Sequence, residues 1–299
     1  MKETVTCQGR ELTASELLWL RSWILQHSDW SRSRLAKELC RHWNWRSLSG
    51  QIKNFAARSF LLKLEQRGLV TLPPVRVAMR RTTWSNSRVE TAFEIETKAP
   101  IPIAASLVEL KPLSLVIPQP RSFLDRCFTH YLIKHHYLGF NGTVGENLKY
   151  LVRDCRGRDL ACLLFGSAAW KTAPRDAFIS WSDDVRCRNV NFLTNNTRFL
   201  ILPWVRVPHL ASHILGMVTR RLCADWQSKY AHPIHLVETF VERNRFRGTC
   251  YRAANWIFVG QTKGRSRQDR YCNLCVPVKD IYLYPLNSNF REALCHVYT

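Results

Sequence analysis

Long uninterrupted apolar runs are missing from this sequence. A helix needs about 18–20 apolar residues to cross a bilayer, and no stretch of the chain approaches that length. The opening "MKETVTCQGRELTASELLWLRSWILQ" has an early acid and no apolar core ahead of a small-residue cleavage site, so no secretory signal is recognisable. We therefore expect a cytoplasmic protein without a membrane partner.

Metal-ligand spacings are also lacking. Of the 11 cysteines, only Cys272 and Cys275 form a CxxC pair. Such a pair supplies two of the usual four zinc ligands, and no second Cys or His pair stands at a familiar spacing. We therefore predict neither metal nor cofactor, and we expect the scattered cysteines to be small buried hydrophobes in a reducing compartment.

Acidic residues are scarce relative to basic ones. The 299 residues include 23 Asp and Glu against 44 Lys and Arg, a formal net charge of +21. This excess attracts polyanions at neutral pH. Nucleic acid is the expected partner, with DNA as the first candidate, and a basic surface that is merely solvated is the alternative.

Residues 1–81 predict a helical module. Thr13 and Glu16 form a capping box ahead of a first helix, "SRSRLAKELCRHW" predicts a second, and a third is expected from near Ser47 or Ser49 to Arg67. The alternating, proline-containing "LVTLPPVRVAMRR" that follows is typical of an edge strand or wing. Three helices and a wing predict a module that resembles a winged helix-turn-helix.

Cations are concentrated in this module. Between residues 28 and 81 there are 12 Lys or Arg and only three acids, which favours contact with DNA phosphates. The residues expected to point outward from the third helix into a groove are Gln51, Lys53, Asn54 and Arg58. The alternative is a module that docks onto another protein and has a basic, solvated face.

Residues 82–118 turn polar and then proline-rich, which predicts a linker. Residues 119–299 then alternate in the order helix, hairpin, strand, long helix, strand, helix, strand. That order predicts a mixed sheet with helices on its faces. The predicted fold class is therefore α+β or α/β, with a helical winged-helix-like module followed by a mixed-sheet domain that ends in a basic loop.

The layout of the second domain resembles the acyltransferase fold of the GNAT superfamily. In that superfamily a glycine-rich turn before the long helix holds the pyrophosphate of acyl-CoA at the helix N-terminus. The corresponding turn here, "VRVPHLASH", has no glycine, and its proline removes one N–H donor. Acyl-CoA is therefore not predicted, and His209, Ser212 and His213 are candidates for holding another anion.

A second resemblance rests on longer motifs. The segments "HHYLG", "LACLLFGSAAWKTAPRDAFISW", "NNTRFLILPWVRVPHLASHIL", "LVETFVE" and "FRGTCYRAANWIFVGQTKGR" resemble the DruA family, named for a component of the Druantia antiphage systems. The same domain is similar to a segment attached to some transposases. The resemblance implies a role in phage defence or in a mobile element, and it implies no catalytic residue.

Three residues are candidates for proton transfer. Glu238 stands among apolar residues in "IHLVETFVE", and a buried acid needs a partner or has a shifted pKa; the alternative is the solvent-facing side of an edge strand. His136, at a predicted helix end, either caps the helix or acts as a base. Asp176 and its neighbour Arg175, near Trp181, mark either the rim of a base-stacking pocket, where Arg175 would contact nucleic acid, or a surface loop whose tryptophans fill the core.

The last candidates are cations that suit a phosphate backbone. Arg247 and Arg252 are expected near a cleft mouth, and "QTKGRSRQDR" predicts a phosphate-contacting loop without Walker spacing that includes Lys263, Arg265, Arg267 and Arg270. A helix is predicted over residues 249–259, in which Cys250 packs rather than reacts. A turn is predicted at Asn195, Asn196 and Arg198.

The leading functional hypothesis is a DNA-binding protein of phage defence or of a mobile element that acts with partner proteins. One alternative is a GNAT-like transferase that modifies nucleic acid. Another is a non-catalytic subunit that recruits a helicase or a transposase.

Overall fold

The chain folds into two units, residues 1–86 and residues 87–299. The computed structural model describes residues 5–7, 10–74, 101–264 and 277–296. Each unit has its own hydrophobic core. None of the helices within the described ranges combines the length and the apolar character that a bilayer crossing requires.

In the smaller unit, a two-stranded hairpin precedes three helices, which confirms the predicted helical module. The hairpin strands are β1 (Val5–Cys7) and β2 (Arg10–Leu12), and the helices are α1 (Ala14–Gln26), α2 (Arg32–His42) and α3 (Asn54–Gln66). Thr13 and Glu16 form the predicted capping box of α1. The core of this unit includes Leu20, Leu35, Leu39, Phe60 and Leu64.

The third helix begins at Asn54, later than predicted. Gly50 has a φ of 77°, in the left-handed region, so a right-handed helix cannot run through it. Gln51 and Lys53 therefore precede α3 instead of pointing outward from it, and only Asn54 and Arg58 of the predicted groove contacts lie on the helix.

The predicted wing is not seen in the described part of the chain. Residues 69–74 form no strand, and residues 75–81 lie outside the described residues. The winged arrangement therefore stays a prediction, and the hairpin of β1 and β2 is an element that the sequence did not predict.

The larger unit has nine strands and seven helices within its described ranges. The strands are β3 (Ile103–Ala104), β4 (Ser114–Val116), β5 (Leu148–Arg153), β6 (Asp159–Ser167), β7 (Leu193–Ile201), β8 (Val205–Arg206), β9 (Leu236–Glu242), β10 (Ile257–Gln261) and β11 (Lys279–Pro285). The helices are α4 (Leu107–Leu110), α5 (Phe123–His135), α6 (Ala173–Ile179), α7 (Asp183–Asn189), α8 (Leu210–Tyr230), α9 (Thr249–Ala253) and α10 (Phe290–Cys295).

Seven of these strands form one sheet in the order β10-β11-β9-β7-β6-β5-β4. Neighbours are antiparallel except β7 and β9, which are parallel. A parallel pair needs a long crossover connection, and α8 lies in it, with Leu210, Ile214, Val218, Leu222 and Trp226 buried. The predicted mixed sheet, its hairpin and its long amphipathic helix are confirmed.

Strands β7 and β9 pair only at their beginnings. The register runs from Leu193 with Leu236 to Asn195 with Glu238, although β7 continues to Ile201. Beyond the last pair, the two strands no longer share backbone hydrogen bonds and diverge, so a gap opens in the sheet at their C-terminal halves.

Residues 103–116 belong to the larger unit, although the sequence placed them in a linker. Strand β4 pairs with β5 at the sheet edge, and β3 pairs with β8. Leu110 and Leu115 are buried in the core of the unit. The prolines that favoured a linker flank these short strands, where a missing N–H costs no ladder hydrogen bond.

The helix predicted for residues 249–259 ends at Ala253. Asn255 has a φ of 62°, which a right-handed helix cannot accommodate. The following Ile257 and Val259 belong to β10, which pairs with β11. Their β-branched side chains suit a strand better than a helix.

Candidate functional site

A cleft opens where β7 and β9 diverge. Its volume is about 660 Å³, and we call it the interstrand cleft. Its lining comprises residues 195–201 of β7, residues 239–241 of β9, residues 135–138 at the end of α5 and residues 246–251 around the start of α9, together with Pro203, Ala211 and Lys279. The cleft therefore results from the crossover connection that makes β7 and β9 parallel neighbours.

One wall contains the residues for which the sequence predicted a turn. Asn195, Asn196 and Arg198 lie within β7 and pair with β6, so the turn prediction is wrong. The ladder skips Thr197, a β-bulge that reorients the strand locally. Asparagine favours turns when it stands alone, but here its backbone groups are used by the sheet.

The lining of the cleft is basic. Arg198, Arg247 and Lys279 line it, and none of its described lining residues is Asp or Glu. Arg198 is half-buried, and its Nε and Nη1 donate to the carbonyl oxygens of Gly139 at 3.0 Å and Thr197 at 2.7 Å. Burial lowers the pKa of the Arg198 guanidinium. Since no described carboxylate pairs with Arg198, the cleft favours an anion.

A buried hydrogen-bond network holds the inner end of the cleft in place. Tyr251 Oη donates to Asn196 Oδ1 at 2.9 Å, and Thr239 Oγ1 donates to the Asn196 carbonyl oxygen at 3.1 Å. Burial raises the pKa of the Tyr251 phenol, so the phenol keeps its proton at neutral pH and acts as a hydrogen-bond donor. Asn195 differs, because its buried Oδ1 accepts no hydrogen bond from the described residues.

Aromatic rings and arginines meet at the cleft mouth. Phe246 is 48% exposed, and its ring lies 5.3 Å from that of Tyr137. The guanidinium carbon of Arg245 stands 5.1 Å from the centre of the Tyr137 ring, within cation–π range. We call residues 243–247, which include exposed Arg243, Arg245 and Arg247, the arginine loop.

Two of the predicted phosphate contacts lie at this mouth. Arg247 lines the cleft, and Arg252 of α9 is exposed and donates from Nη2 to the Arg247 carbonyl oxygen at 2.9 Å. Lys263 is exposed beyond β10 and does not line the cleft. Arg265, Arg267 and Arg270 lie outside the described residues, as do Cys272 and Cys275.

Glu238, the predicted general base, does not line the cleft. It is fully buried in the internal strand β9, so the alternative of a solvent-facing edge position is wrong, and its role as a general base stays a prediction. Its Oε2 accepts from Arg175 Nη1 at 2.9 Å, and its Oε1 accepts from the Ala169 N–H. Burial raises the pKa of Glu238, while Arg175 and the Ala169 N–H act in the opposite direction.

Arg175 is fully buried, so the prediction that it contacts nucleic acid is wrong. Its guanidinium is shared between Glu238 and Asp176, whose Oδ1 accepts from Nε and Nη2 at 2.9 and 2.7 Å. Asp176 also accepts from Trp181 Nε1 at 3.1 Å. We call Arg175, Asp176, Trp181 and Glu238 the buried ion cluster. Side-chain exposure cannot be read from a sequence, so charged residues between two tryptophans suggest a pocket rim even when they are buried.

His136 lines the cleft, apart from the other two catalytic candidates. It is the residue at the C-cap of α5, and its Nδ1 accepts from the Leu138 N–H at 3.2 Å. The ring proton is therefore on Nε2, and the lone pair that a base would use is engaged. Burial, and secondarily the charge of Arg198, lower the pKa of His136 to about 4. These observations do not support a base near neutral pH.

Acidification should therefore destabilise the larger unit through His136. Its pKa is lowered on folding from 6.5 to about 4, so the unfolded chain binds the proton more readily and stability is lost as pH falls through this interval. We expect the His136 contribution to be about 1–2 kcal/mol between pH 7 and pH 5. The variant His136→Asn keeps an acceptor for the Leu138 N–H and does not titrate. Urea unfolding at both pH values should show the smaller decline for His136→Asn; equal declines would contradict the assignment.

Cys250 also lines the cleft. Burial raises the pKa of its thiol, which opposes thiolate formation. This direction agrees with a packed cysteine and gives no support to a nucleophile.

The predicted contacts of the smaller unit differ in exposure. Gln51 and Arg58 are exposed, whereas Lys53 and Asn54 are half-buried. Arg58 lines a separate cavity of about 300 Å³ with Ser31, Arg32 and Ser33 among other residues. Gln51 and Arg58 are therefore the more accessible of the four, and contact of all four residues with nucleic acid stays a prediction.

Several residues of the cleft were missed by sequence reasoning. They are Tyr137, Phe246 and Lys279 of its lining and, at its mouth, Arg243 and Arg245 of the arginine loop. The alternation of arginine with asparagine and phenylalanine in "RNRFR" was an available signal, because aromatic residues interleaved with cations are typical of single-strand nucleic-acid contacts. Tyr137 and Lys279 gave no signal, since only folding brings them beside that loop.

Fold and site together define a mixed-sheet α+β protein with a basic cleft. The cleft lies at β7 and β9, the one parallel pair described within the seven-stranded sheet. Residues 63–276 match the family described as Druantia protein DruA. This chain belongs to the DruA family. A comparison with curated proteins found no match.

Similar solved structures include acetyltransferases. Spermidine N-acetyltransferase from Vibrio cholerae in complex with CoA and spermine is 8% identical, with a TM-score of 0.39 over 58% of this chain and 95% of that chain. A mutant of the Vibrio cholerae enzyme is 8% identical, with a TM-score of 0.31 over 48% of this chain and 66% of that chain. Nourseothricin acetyltransferase is 8% identical, with a TM-score of 0.30 over 47% of this chain and 66% of that chain. This chain thus spans slightly less than two thirds of the last two proteins, and similarity at this level says nothing of chemistry.

Proposed function

We propose that this protein is a nucleic-acid-binding component of antiphage defence, with DNA as its expected ligand, and that the interstrand cleft and the arginine loop form the contact surface. The observation that carries the proposal is a cleft lined by three cations and, among its described lining residues, by no carboxylate. Membership of the DruA family supports the defence context. Action in a mobile element is the alternative context.

The chemistry of the mouth suits a flexible polyanion. Exposed arginines of the arginine loop can pair with phosphates, which position a nucleic acid without selecting its sequence. The exposed Phe246 ring, held beside Tyr137, offers a surface on which a base can stack. Charge and stacking together favour nucleic acid over a simple anion.

The other predicted nucleic-acid contacts extend the proposal. Gln51, Lys53, Asn54 and Arg58 of the smaller unit would add a second contact, and the basic segment from Lys263 onward a third. A helicase or transposase is the proposed class of protein partner. The sheet layout fits the alternative of a transferase acting on nucleic acid, but the partners of Glu238, Asp176 and His136 described above give that alternative no support.

A salt series tests the proposal. The affinity of the full chain for labelled DNA, measured by fluorescence anisotropy, should fall steeply with salt because phosphate contacts release counterions. The double variant Arg245→Ala/Arg247→Ala should weaken binding at low salt about 10- to 100-fold and reduce the slope of log affinity against log salt by about 2.

The matched control is Arg188→Ala. Arg188 is exposed on α7 and does not line the cleft, so the variant removes the same charge elsewhere on the same unit. It should change affinity only slightly. Equal losses in Arg188→Ala and in either single arginine-loop variant, or a wild-type affinity that is flat with salt, would refute the proposed contact surface.

A further inference from the structure

We infer that the interstrand cleft receives a single nucleotide unit, whose base enters between β7 and β9 and whose phosphate stays with the cations. This inference rests on the proposed function and specifies the ligand of the same site. The nucleotide has two possible sources, a base extruded from the bound nucleic acid or a free mononucleotide. Their recognition chemistry is the same.

The size of the cleft matches one nucleotide better than a nucleic-acid duplex. Its volume of about 660 Å³ lies in the range of about 300–1,000 Å³ that is typical of small-molecule sites. The gap begins where strand pairing stops, after Asn195 and Glu238. A duplex is too wide for such a gap and can only lie across its mouth, on the arginine loop.

The inner walls suit a flat, uncharged ring. Phe199 and Tyr251 line the cleft with their rings 6.3 Å apart at 75°, and Val241 lines it from β9. Moving a charged phosphate from water to these walls is unfavourable, whereas a nucleobase gains stacking and apolar contact there. The base of a nucleotide is therefore the part that enters.

Arg198 supplies a cation from the same strand as Phe199. Two of its guanidinium nitrogens are used by the carbonyl oxygens of Gly139 and Thr197. Its Nη2 has no acceptor among the described residues. A half-buried guanidinium with a donor to spare and no described carboxylate partner is suited to a phosphate at the border between the walls and the mouth.

Asn195 supplies a second, independent observation at the closed end. Its Oδ1 is buried and has no donor in the described structure, and a buried acceptor without a partner is costly. The residue lines the cleft at the last pairing of β7 with β9. An amino or imino N–H on the edge of a base, met after rotation of the Asn195 amide, is the matching donor.

The test uses duplex DNA with 2-aminopurine at one internal position, because its fluorescence rises when the base leaves the stack. Binding of the wild-type full chain should raise the fluorescence several-fold. Ala211→Trp, which places an indole in the cleft, should abolish the rise while it lowers DNA affinity by no more than about tenfold, equivalent to about 1.4 kcal/mol. Arg198→Met should reduce the rise even if Ala211→Trp fails to fold, and Arg188→Ala should leave it intact.

A second arm uses free nucleoside monophosphates with saturation-transfer NMR. Saturable binding that Ala211→Trp or Arg198→Met removes, without a 2-aminopurine signal, identifies a free nucleotide as the occupant and supports the inference. DNA binding that depends on Arg245 and Arg247, with neither a fluorescence rise nor nucleotide binding, overturns the inference and leaves the proposed function intact. If DNA is not bound while a mononucleotide is, the proposed function fails and the nucleotide site stands.

Discussion

Glu238→Ala should lower the free energy of unfolding of the larger unit by about 3–5 kcal/mol. Glu238 and Arg175 are both fully buried, and Oε2 of Glu238 lies 2.9 Å from Nη1 of Arg175. Removing the carboxylate leaves the guanidinium in the interior with Asp176 as its one carboxylate partner among the described residues, beside the Ala169 carbonyl oxygen, and deprives the Ala169 N–H of its acceptor. Removing one of the two carboxylates that neutralise a buried guanidinium is strongly destabilising.

The measurement is urea-dependent hydrogen exchange, followed by mass spectrometry on peptides of β9. This local readout separates the larger unit from the smaller one in the full chain. The double variant Arg175→Met/Glu238→Leu removes both charges of the buried pair and keeps apolar bulk, while Asp176 keeps the hydrogen bonds from Trp181 and the Thr172 N–H. It should therefore recover part of the loss, because buried pairs replaced by packed hydrophobes are often close to neutral in stability.

This comparison also decides what Glu238 does. A general base would be dispensable for folding, and Glu238→Ala would then unfold at the wild-type urea concentration. Equal stability of Glu238→Ala and wild type would therefore refute the structural role of the buried ion cluster and return Glu238 to the catalytic candidates.

Gly248→Ala should destabilise the larger unit by about 2–5 kcal/mol, for two physical reasons. Gly248 has a φ of 65°, which costs a residue with a Cβ about 1–2 kcal/mol. A Cβ there would also lie 2.5 Å from Tyr282 Oη and 2.8 Å from two ring carbons. Tyr282 is buried against Tyr251, so it cannot move without disturbing the inner wall of the interstrand cleft.

Gly157→Ala is the matched control. Gly157 has a φ of 75° in the turn between β5 and β6, and a Cβ there would meet no atom within 4 Å. It should therefore cost about 1–2 kcal/mol, the backbone part alone. The same hydrogen-exchange experiment, read on peptides of β9 and β5, compares the two variants. Equal losses would show that Tyr282 yields to the Cβ and that packing at the cleft is looser than the structure indicates.

Local patterns predicted much of the fold. The capping box of Thr13 and Glu16, the hairpin around Gly157 and the spacing of Leu210, Ile214 and Leu222 are short-range signals, and each marks an element that the structure contains. Errors arose where a local signal had two meanings. Prolines at the ends of β3 and β4 looked like a linker, and the hydrophobic run after Asn255 looked like more helix.

The candidate site was predicted less well, because its residues come from six separate segments, at α5, β7, α8, β9, the start of α9 and β11. Arg247 was found from charge, and His136 from its position after a helix. Arg198 was assigned to a turn, and Tyr137 and Phe246 were not singled out. These residues lie close together because the crossover through α8 places β7 beside β9. Such a long-range arrangement is not visible in any short segment of the sequence.

By itself, the sequence determined the basic charge, the helical first module, the strand and helix order of the second and the resemblance to the DruA family. Composition and periodicity are properties of single segments, so they can be observed without coordinates. Only the tertiary structure decided which side chains are buried and where β7 and β9 diverge. It buried Arg175 and Glu238 against each other, outside the lining of the interstrand cleft. It also opened that cleft where β7 and β9 stop pairing, because side-chain exposure and strand separation are set by partners distant in the chain.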